Sequence, residues 1–369
     1  MVRLALIGLG KMGISHLAIL NSHPDVKLVA VCDTNAYVSS TLNKYTGITV
    51  SSDYRQVLAQ GDLDAVVIAT PPRFHGEMVR AALDRNLHVF CEKPFCLDPN
   101  EGAELAALAQ ARGLVNQVGY HYRFVGAFKE AKRLVTAGVL GRIHHVRTEA
   151  YGPVILRPKG ASWRGQKSEG GGCLHDYASH ALDLLTYLVG TPDHVGGSVL
   201  NRIFSQDVED ETYATLYFPD GMTGQLSANW SDESYRKLST KVSIWGTNGV
   251  LSVDRQEVRL FLRDNLNGDR TLNDGWNIVY TTELTDPVWY YLRGEEYSAQ
   301  IDHFVGCIET KQPETISPFV SAVATDRIMA MMLEDADAGM KLTTRRRPQQ
   351  DRTIARRPGI LRRMKALLV

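Results

Sequence analysis

A glycine-rich turn lies between a strand-like opening and a helical pattern at the very start of the chain. The segment Val2–Ile7 is mostly apolar, Gly8-Leu9-Gly10-Lys11-Met12-Gly13 follows, and an amphipathic pattern begins at once. In such a turn the first glycine allows a sharp bend, the second lets the backbone approach a pyrophosphate, and the third lets the helix pack close to the strand. The motif alone is a weak signal in a chain with 31 glycines. Its position between strand and helix predicts a dinucleotide-binding βαβ unit.

A second apolar run, at 27–32, ends in Asp33, twenty residues after Gly13. A carboxylate at this place can accept hydrogen bonds from both ribose hydroxyls of an adenosine, and it would repel a 2′-phosphate. We therefore expect NAD as the cofactor rather than NADP. The alternative, an ordinary glycine turn, does not explain the strand, the spacing and the acid together. The cofactor contacts expected in this segment are Gly8, Gly10, Lys11, Met12, Gly13 and Asp33.

The bulk composition describes an ordinary soluble protein. With 369 residues, the chain is long enough for two domains, each with its own core. Hydrophobic residues make up 44% and charged residues 22%, and the zero formal net charge argues against nucleic-acid binding. We find no signal-peptide pattern and no apolar run near the ~20 residues of a membrane span. The five scattered cysteines fit reduced thiols, so the sequence predicts a cytoplasmic protein.

The spacing of strand-like and helical patterns divides the chain near residue 120. Residues 1–120 alternate short β-rich runs with helical stretches, which predicts a Rossmann NAD-binding domain with a doubly wound parallel sheet. Residues 121–340 carry alternating strand patterns, turn signals and helices, which predicts an α+β substrate-binding domain on a large open, mainly antiparallel sheet. The fold class is thus α/β plus α+β. An open sheet face would suit a homo-oligomer, either a dimer or a tetramer.

Individual elements follow from the same patterns. Strands in the first domain are predicted to end at Ile7, Cys32, Ala69, Cys91 and Val118, with a weaker strand at 48–50. Helices in this domain are predicted at 76–85 and 99–112, the second one capped by Asp98. In the second domain, strands are predicted at 143–151, 213–218, 224–229, 241–246 and 258–262. The helices there are predicted at 126–137, 174–189, 297–309 and 320–338.

Residues 341–369 form a basic tail. They hold ten of the 41 Lys and Arg residues but one of the 41 acidic residues. Two prolines and a short amphipathic end favour a flexible, solvated extension. A more specific alternative is that the tail contacts an anionic surface, such as a membrane face or an acidic partner.

The fifth predicted strand ends in Glu92-Lys93-Pro94. In an open α/β sheet, ligands bind outside the carboxyl ends of the strands, so this tripeptide should face the cofactor cleft. A lysine there can hydrogen-bond a substrate hydroxyl. The alternative is a surface lysine before a loop proline, and spacing alone does not decide between the two.

A second candidate is a helix that follows Gly170-Gly171-Gly172. Asp176, His180 and Asp183 would lie within about 60° of one another around an α-helix. Taken alone, these residues favour a solvated polar face with one Asp–His pair. No metal site is expected, because His175 and His180 would point about 140° apart.

Taken in order, these features resemble the glucose–fructose oxidoreductase/inositol dehydrogenase (Gfo/Idh/MocA) family. The shared features are the glycine loop, the acid after strand two, Glu-Lys-Pro after strand five, and three glycines followed by Asp and His on a helix. The further matches are Thr70-Pro71-Pro72 with His75, Gly119-Tyr120-His121-Tyr122-Arg123-Phe124 and Trp163-Arg164. The resemblance is close to about residue 190 and extends in overall layout to about residue 340.

The resemblance implies a catalytic group of Lys93, Asp176 and His180. His180 would take the hydroxyl proton while a hydride leaves the same carbon, Asp176 would orient the substrate or the imidazole, and Lys93 would bind the reacting oxygen. The cofactor contacts that it implies are Thr70, Pro71, His75, Glu92 and Lys93. The substrate contacts that it implies are His121, Arg123, Trp163, Arg164 and Asp176. His121 stands where many members have Asn, and the Lys93–Pro94 bond is a cis candidate.

The function implied by the resemblance is that of an NAD-dependent dehydrogenase or reductase. Its substrate would be a secondary alcohol or ketone of a sugar, cyclitol or nucleotide-sugar. Two alternatives stay open. One is a glycosidase that uses bound NAD for a transient oxidation, and the other is a non-catalytic regulator that senses a dinucleotide.

Overall fold

The computed structural model describes residues 1–35, 48–154, 163–264 and 271–343. Residues 344–369 of the basic tail lie outside these ranges, so its flexibility and its contact with an anionic surface stay predictions.

Six parallel strands form the first sheet, in the order β3-β2-β1-β4-β5-β6. They are β1 (Val2–Ile7), β2 (Val26–Cys32), β3 (Thr49–Ser51), β4 (Ala65–Ile68), β5 (His88–Cys91) and β6 (Asn116–Val118). Most are short apolar runs buried on both faces, as parallel strands between helices require. The strand order reverses between β1 and β4, which opens a crevice at their carboxyl ends. The predicted Rossmann sheet is confirmed.

The strands of this sheet are connected by α1 (Lys11–Ser22), α2 (Tyr54–Leu58), α3 (His75–Leu83) and α4 (Pro99–Ala111). The start of α4 is the one that the sequence predicts. Asp98 accepts a hydrogen bond from the backbone N–H of Asn100, and Pro99 takes the first helical position. The sequence patterns do not predict α2, because five residues are too few to show a helical period.

The second sheet has eight strands in the order β14-β13-β12-β11-β7-β10-β9-β8. They are β7 (Ile143–Tyr151), β8 (His194–Asn201), β9 (Glu211–Tyr217), β10 (Thr223–Asn229), β11 (Ser239–Gly246), β12 (Gly249–Asp254), β13 (Glu257–Leu262) and β14 (Gly275–Tyr280). β7 and β10 run parallel, and the other neighbouring strands run antiparallel. The mainly antiparallel sheet is therefore confirmed, with one parallel pair at its centre.

The helices of the second half are α5 (Gly126–Thr136), α6 (Ser179–Val189), α7 (Thr281–Leu284), α8 (Glu295–Glu309) and α9 (Phe319–Thr343). One face of the sheet packs on α5, α6 and α9 to form a continuous core. The other face is open at β14, where Trp276, Ile278 and Tyr280 expose 59%, 45% and 53% of their surface.

Helices from the second half also pack on the first half. Phe304 of α8 lies 5.9 Å from Phe90 of β5, and Phe319 of α9 stacks 4.2 Å from Phe95, measured between ring centres. These contacts hold the second sheet beside the crevice of the first. Within the described ranges, no helix has both the length and the apolar character needed to cross a membrane. All five cysteines are buried free thiols, as their spacing predicts.

Candidate active site

The glycine loop between β1 and α1 leaves space for a ligand. Gly8 has φ +95°, a left-handed conformation that favours glycine, and a Cβ there would lie 2.7 Å from the carbonyl oxygen of Ala69. A Cβ at Gly13 would overlap the carbonyl oxygen of Gly8. A Cβ at Gly10 would meet no atom of the described residues within 4 Å. The outer glycines thus serve the packing of α1 on the sheet, whereas the space in front of Gly10 is left open.

The residues around this space fit NAD. α1 begins after Gly10, and no side-chain hydrogen bond from the described residues caps it. Its N-terminal N–H groups and the positive end of its dipole favour a phosphate. Asp33 accepts hydrogen bonds from the backbone N–H of Leu9 (2.5 Å) and of Asn35 (2.7 Å). The carboxylate therefore lies at the rim of the loop, where the ribose hydroxyls of an adenosine would meet it.

His75 lies behind the cofactor crevice rather than in it. Its ring is fully buried, and its two nitrogens lie 2.8 Å from the carbonyl oxygen of Pro94 and 3.0 Å from that of Thr70. The ring thus ties the loop after β4 to the loop after β5, which contains the predicted cis bond between Lys93 and Pro94. The cofactor contact expected for His75 is not supported, because carbonyl groups surround both nitrogens. Thr70 and Pro71 are half-buried at the crevice.

The end of β5 brings Glu92 and Lys93 to the crevice. The Glu92 carboxylate lies 2.6 Å from Nε2 of His16 on α1. Lys93 Nζ donates to Oδ1 of Asp176 at 2.9 Å and to its backbone oxygen at 2.8 Å. Only 10% of the Lys93 side chain is exposed. The alternative of a surface lysine is therefore wrong.

Two positive side chains hold the Asp176 carboxylate. Arg164 Nε donates to its Oδ2 at 2.8 Å, while Lys93 occupies Oδ1. The Arg164 guanidinium also lies over the ring of Trp163, 4.9 Å from its centre. Burial alone would raise the pKa of Asp176, but the charges of Lys93 and Arg164 lower that pKa well below its usual value. Asp176 is thus an ionised carboxylate with a fixed position.

The turn that carries Asp176 is π-helical. Leu174–Ala178 forms one π turn directly before α6, and such turns are rare and often found at functional sites. A Cβ at Gly171 would overlap the backbone oxygen of Arg164, so glycine is needed to let these two segments touch. This close approach brings Arg164 to Asp176. The spacing of 100° per residue assumed for an α-helix does not hold across this turn.

His180 lies on the first turn of α6 and is buried. Its ring packs edge-on against His121 and Tyr122, with ring centres 5.0 and 5.2 Å away. Burial lowers the pKa of His180 well below its usual value, and the charge of Lys93 lowers it further. His180 is therefore a neutral imidazole near neutral pH, the form that can accept a proton. Asp176, His180 and Asp183 are 5%, 5% and 1% exposed, so the alternative of a solvated polar face is wrong.

Arg123 has a different place from the one implied by the family resemblance. Its guanidinium donates to both carboxylate oxygens of Asp183, at 2.6 and 3.0 Å. It also donates to the backbone oxygen of Ile316 and to the hydroxyl of Ser321. Because these groups occupy the buried guanidinium, a substrate contact by Arg123 is not supported. The ion pair instead joins the segment after β6 to α6, and the hydrogen bond to Ser321 joins it to α9.

Two residues that the sequence patterns do not single out, Tyr297 and Arg293, lie beside His121, and we call this group the pocket wall. Tyr297 on α8 stacks on His121 at 4.6 Å, and its hydroxyl lies 3.4 Å from His121 Nε2. Arg293 lies over the Tyr297 ring, 5.4 Å from its centre. Burial lowers the pKa of His121 to about 3, although Glu92 opposes the shift. The helix that carries Tyr297 is predictable, but nothing local shows that it meets residue 121.

Two family models match the chain. Residues 2–120 match the model described as "Oxidoreductase family, NAD-binding Rossmann fold". Residues 128–252 match the model described as "GFO/IDH/MocA C-terminal domain".

Named relatives and solved structures are similar over most of the chain. scyllo-Inositol 2-dehydrogenase (NAD(+)) of Bacillus subtilis is 32% identical over 259 residues, which is 68% of this chain and 73% of the relative. The 2,7-anhydro-N-acetylneuraminate hydratase of Mediterraneibacter gnavus is 26% identical over 306 residues, which is 79% of this chain and 80% of the relative. A solved levoglucosan dehydrogenase in complex with NADH has a TM-score of 0.78 and 25% identity, covering 91% of this chain and 97% of that one.

Proposed function

This chain belongs to the Gfo/Idh/MocA family of NAD-binding oxidoreductases, and on that premise we propose that it transfers a hydride between NAD and a secondary alcohol or ketone of a sugar, cyclitol or nucleotide-sugar. The observation that supports this most is the buried contact of Lys93 with Asp176, close to a neutral His180. The contact of Glu92 with His16 ties the same strand end to the helix after the glycine loop. The candidate acid–base groups and the NAD loop therefore share one crevice.

Each of the three residues has a separate task in the proposed reaction. NAD, when bound, supplies the hydride acceptor at its nicotinamide ring. Lys93 binds the reacting oxygen, and its positive charge stabilises that oxygen as the proton leaves. His180 takes the proton: its Nδ1 is sealed from solvent without a partner in the described residues, so Nε2 is left for the substrate. The charge of Asp176 favours the imidazolium that results, and Arg164 keeps the carboxylate in place.

The remaining contacts are assigned by their position around this centre. The cofactor contacts that we propose are Gly8, Gly10, Lys11, Met12, Gly13, Asp33, Thr70, Pro71, Glu92 and Lys93. The substrate contacts that we propose are His121, Trp163, Arg164 and Asp176.

The test is a panel of sugars, inositols and nucleotide-sugars incubated with the full chain and NAD. At least one compound should reduce NAD, followed at the NADH absorbance band, and His180→Asn should slow that reaction strongly. His194→Asn serves as the matched control, because His194 is an exposed histidine on β8. A chain that binds NADH but turns over no compound would contradict the proposal and favour a dinucleotide-sensing regulator.

One relative favours a second candidate function, a reaction that uses NAD for a transient oxidation. The 2,7-anhydro-N-acetylneuraminate hydratase matches 79% of this chain, and the name hydratase describes no net oxidation. A glycosidase of this kind would consume a glycoside while NADH stays constant. Proton NMR of the substrate with NAD in catalytic amount separates the two candidates, because only the dehydrogenase needs NAD in equal amount.

We further propose that the chain consists of two domains, 1–120 and 121–340, and that it works in the cytoplasm as a homo-oligomer. The exposed aromatic face of β14 supports a contact between copies. Light scattering after size-exclusion chromatography gives the mass in solution, and a monomeric mass would contradict the oligomer.

A further inference from the structure

The pocket wall around His121 carries positive charge that the proposed mechanism does not use. Arg255, between β12 and β13, forms an ion pair with the buried Glu296 at 2.5 Å. Arg293, just before α8, is exposed and pairs with no carboxylate among the described residues. Its guanidinium lies over Tyr297, which in turn stacks on His121. One arginine of this wall is therefore free of an acidic partner.

The backbone beside Arg293 adopts uncommon conformations. Arg293 has φ +68°, and Gly294 has φ +149°. A non-glycine residue in the left-handed region is uncommon, and such residues cluster at ligand clamps and active sites. A Cβ at Gly294 would overlap the side chains of Arg255 and Glu296. Glycine at this position thus lets the Arg255–Glu296 pair lie directly beside the backbone of Arg293.

Both arginines act on the ring next to the candidate base. The charges of Arg255 and Arg293 lower the pKa of His121, as the charge of Lys93 does. The His121 ring lies 5.0 Å from the His180 ring, centre to centre. The two guanidinium groups are therefore within electrostatic reach of the pocket in which the proposed substrate would lie.

We propose that Arg293, assisted by Arg255, binds an anionic group of the substrate, either a carboxylate or a phosphate. This inference rests on the proposed oxidoreductase function and narrows its substrate class to sugar acids, sugar phosphates and nucleotide-sugars. The planar guanidinium matches two oxygens of a carboxylate or phosphate, and its charge strengthens both hydrogen bonds. The stack of Arg293 on Tyr297 limits the positions that the guanidinium can take.

The best variant for a test is Arg293→Gln. Arg293 is exposed and unpaired, so its replacement leaves no buried charge, whereas a change at Arg255 would strand Glu296. Arg259→Gln is the matched control, because Arg259 likewise lies over an aromatic ring, 5.3 Å from the centre of Trp276 on β14. Each variant is assayed with neutral hexoses, the corresponding uronates and the corresponding hexose 6-phosphates. Calorimetric binding of the same compounds to the NADH complex gives a second measurement.

An anionic compound should exceed its neutral parent in kcat/KM by at least about tenfold in the wild-type chain. Arg293→Gln should raise the KM of that compound roughly 10- to 100-fold with little change in kcat, because it removes a charge-assisted contact away from the reacting carbon. Arg259→Gln should change neither value. The uronate and phosphate arms show which anion is bound.

Three other results would overturn the inference. Equal or better turnover of the neutral parents would refute an anionic substrate while leaving the proposed oxidoreductase in place. A preference for anions that survives Arg293→Gln would refute the assignment of this residue. If no compound of the wider panel reduced NAD, the proposed function would fail first, and this inference with it.

Discussion

Gly10→Ala should weaken NAD binding without lowering the stability of the fold. Gly13→Ala, in contrast, should lower the stability of the fold. A Cβ at Gly13 would lie closer than 3.0 Å to the backbone of Gly8, which is fixed at the end of β1. Neither α1 nor the strand can yield without losing packing, and overpacking of this kind costs about 1–3 kcal/mol. For a domain of about 120 residues, a loss of about 3 kcal/mol lowers Tm by roughly 10–15 °C.

Gly10 behaves differently because its surroundings are open. Its backbone, at φ −63° and ψ −173°, is extended and accessible to alanine. Gly10→Ala should therefore leave stability unchanged or raise it by about 0.4–1 kcal/mol, through the unfolded state. In the complex, however, the methyl group would occupy the space through which a phosphate reaches the N-terminus of α1. Losing up to about 2 kcal/mol of that interaction corresponds to roughly a 30-fold increase in the Kd for NADH.

The assay needs no knowledge of the substrate. NADH fluorescence titration gives Kd, and a thermal melt gives Tm for the same preparations. Gly61→Ala is the matched control, since a Cβ there also meets no described atom within 4 Å and Gly61 lies in an exposed turn between α2 and β4. A Gly10→Ala variant that binds NADH as tightly as the wild type would refute the ligand role of this loop. An unchanged Tm for Gly13→Ala would refute the packing argument.

Four further outcomes test the assignments residue by residue. His180→Asn should lower kcat by roughly 10²–10⁴ with NADH affinity unchanged, the usual contribution of a positioned acid–base group, and near-normal steady-state turnover would leave the mechanism without its base. Burial lowers the pKa of His180 from its usual value of 6.5. The kcat/KM of alcohol oxidation should therefore stay constant as the pH falls through 6.5 and decline only well below it, where the imidazole takes a proton. A decline that begins above pH 6.5 would contradict this assignment. Arg123→Met should cost about 3–5 kcal/mol in urea unfolding, because it strands the buried Asp183 carboxylate, and an unchanged midpoint would show that the pair stabilises nothing. Asp33→Ser should raise kcat/KM with NADP relative to NAD, whereas comparable values for both cofactors in the wild type would remove the argument from charge.

Features that depend on neighbouring residues could be predicted from the sequence. The glycine loop, the cap at Asp98 and the alternation of strands with helices all act within a few residues, where turn chemistry and periodicity decide the backbone. Asp33 belongs to the same class, since its place follows from the length of one βαβ unit. The sequence also supplies Lys93, Asp176 and His180 as candidates, but their chemical roles come from the family resemblance.

Contacts between residues that are far apart in the sequence decided which side chains meet at the candidate active site. Lys93 and Asp176 are 83 residues apart, and Arg123 lies 60 residues from Asp183 and 193 residues from Ile316. Local spacing made the Asp176–His180 face look solvated, because it carries no information about what covers a helix. A π turn then changed the spacing itself.

The sequence by itself determined the fold class, most of the elements with their order, and the NAD loop, because hydrophobic period and turn residues act locally. The tertiary structure alone decided which polar side chains became buried together. The second sheet must cover its apolar face with α5, α6 and α9, and α8 must pack on the first sheet. Burying these surfaces fixes Tyr297 against His121 and Lys93 against Asp176. Each contact joins two elements that are far apart in the sequence, and the local sequence of neither element determines where the other one lies.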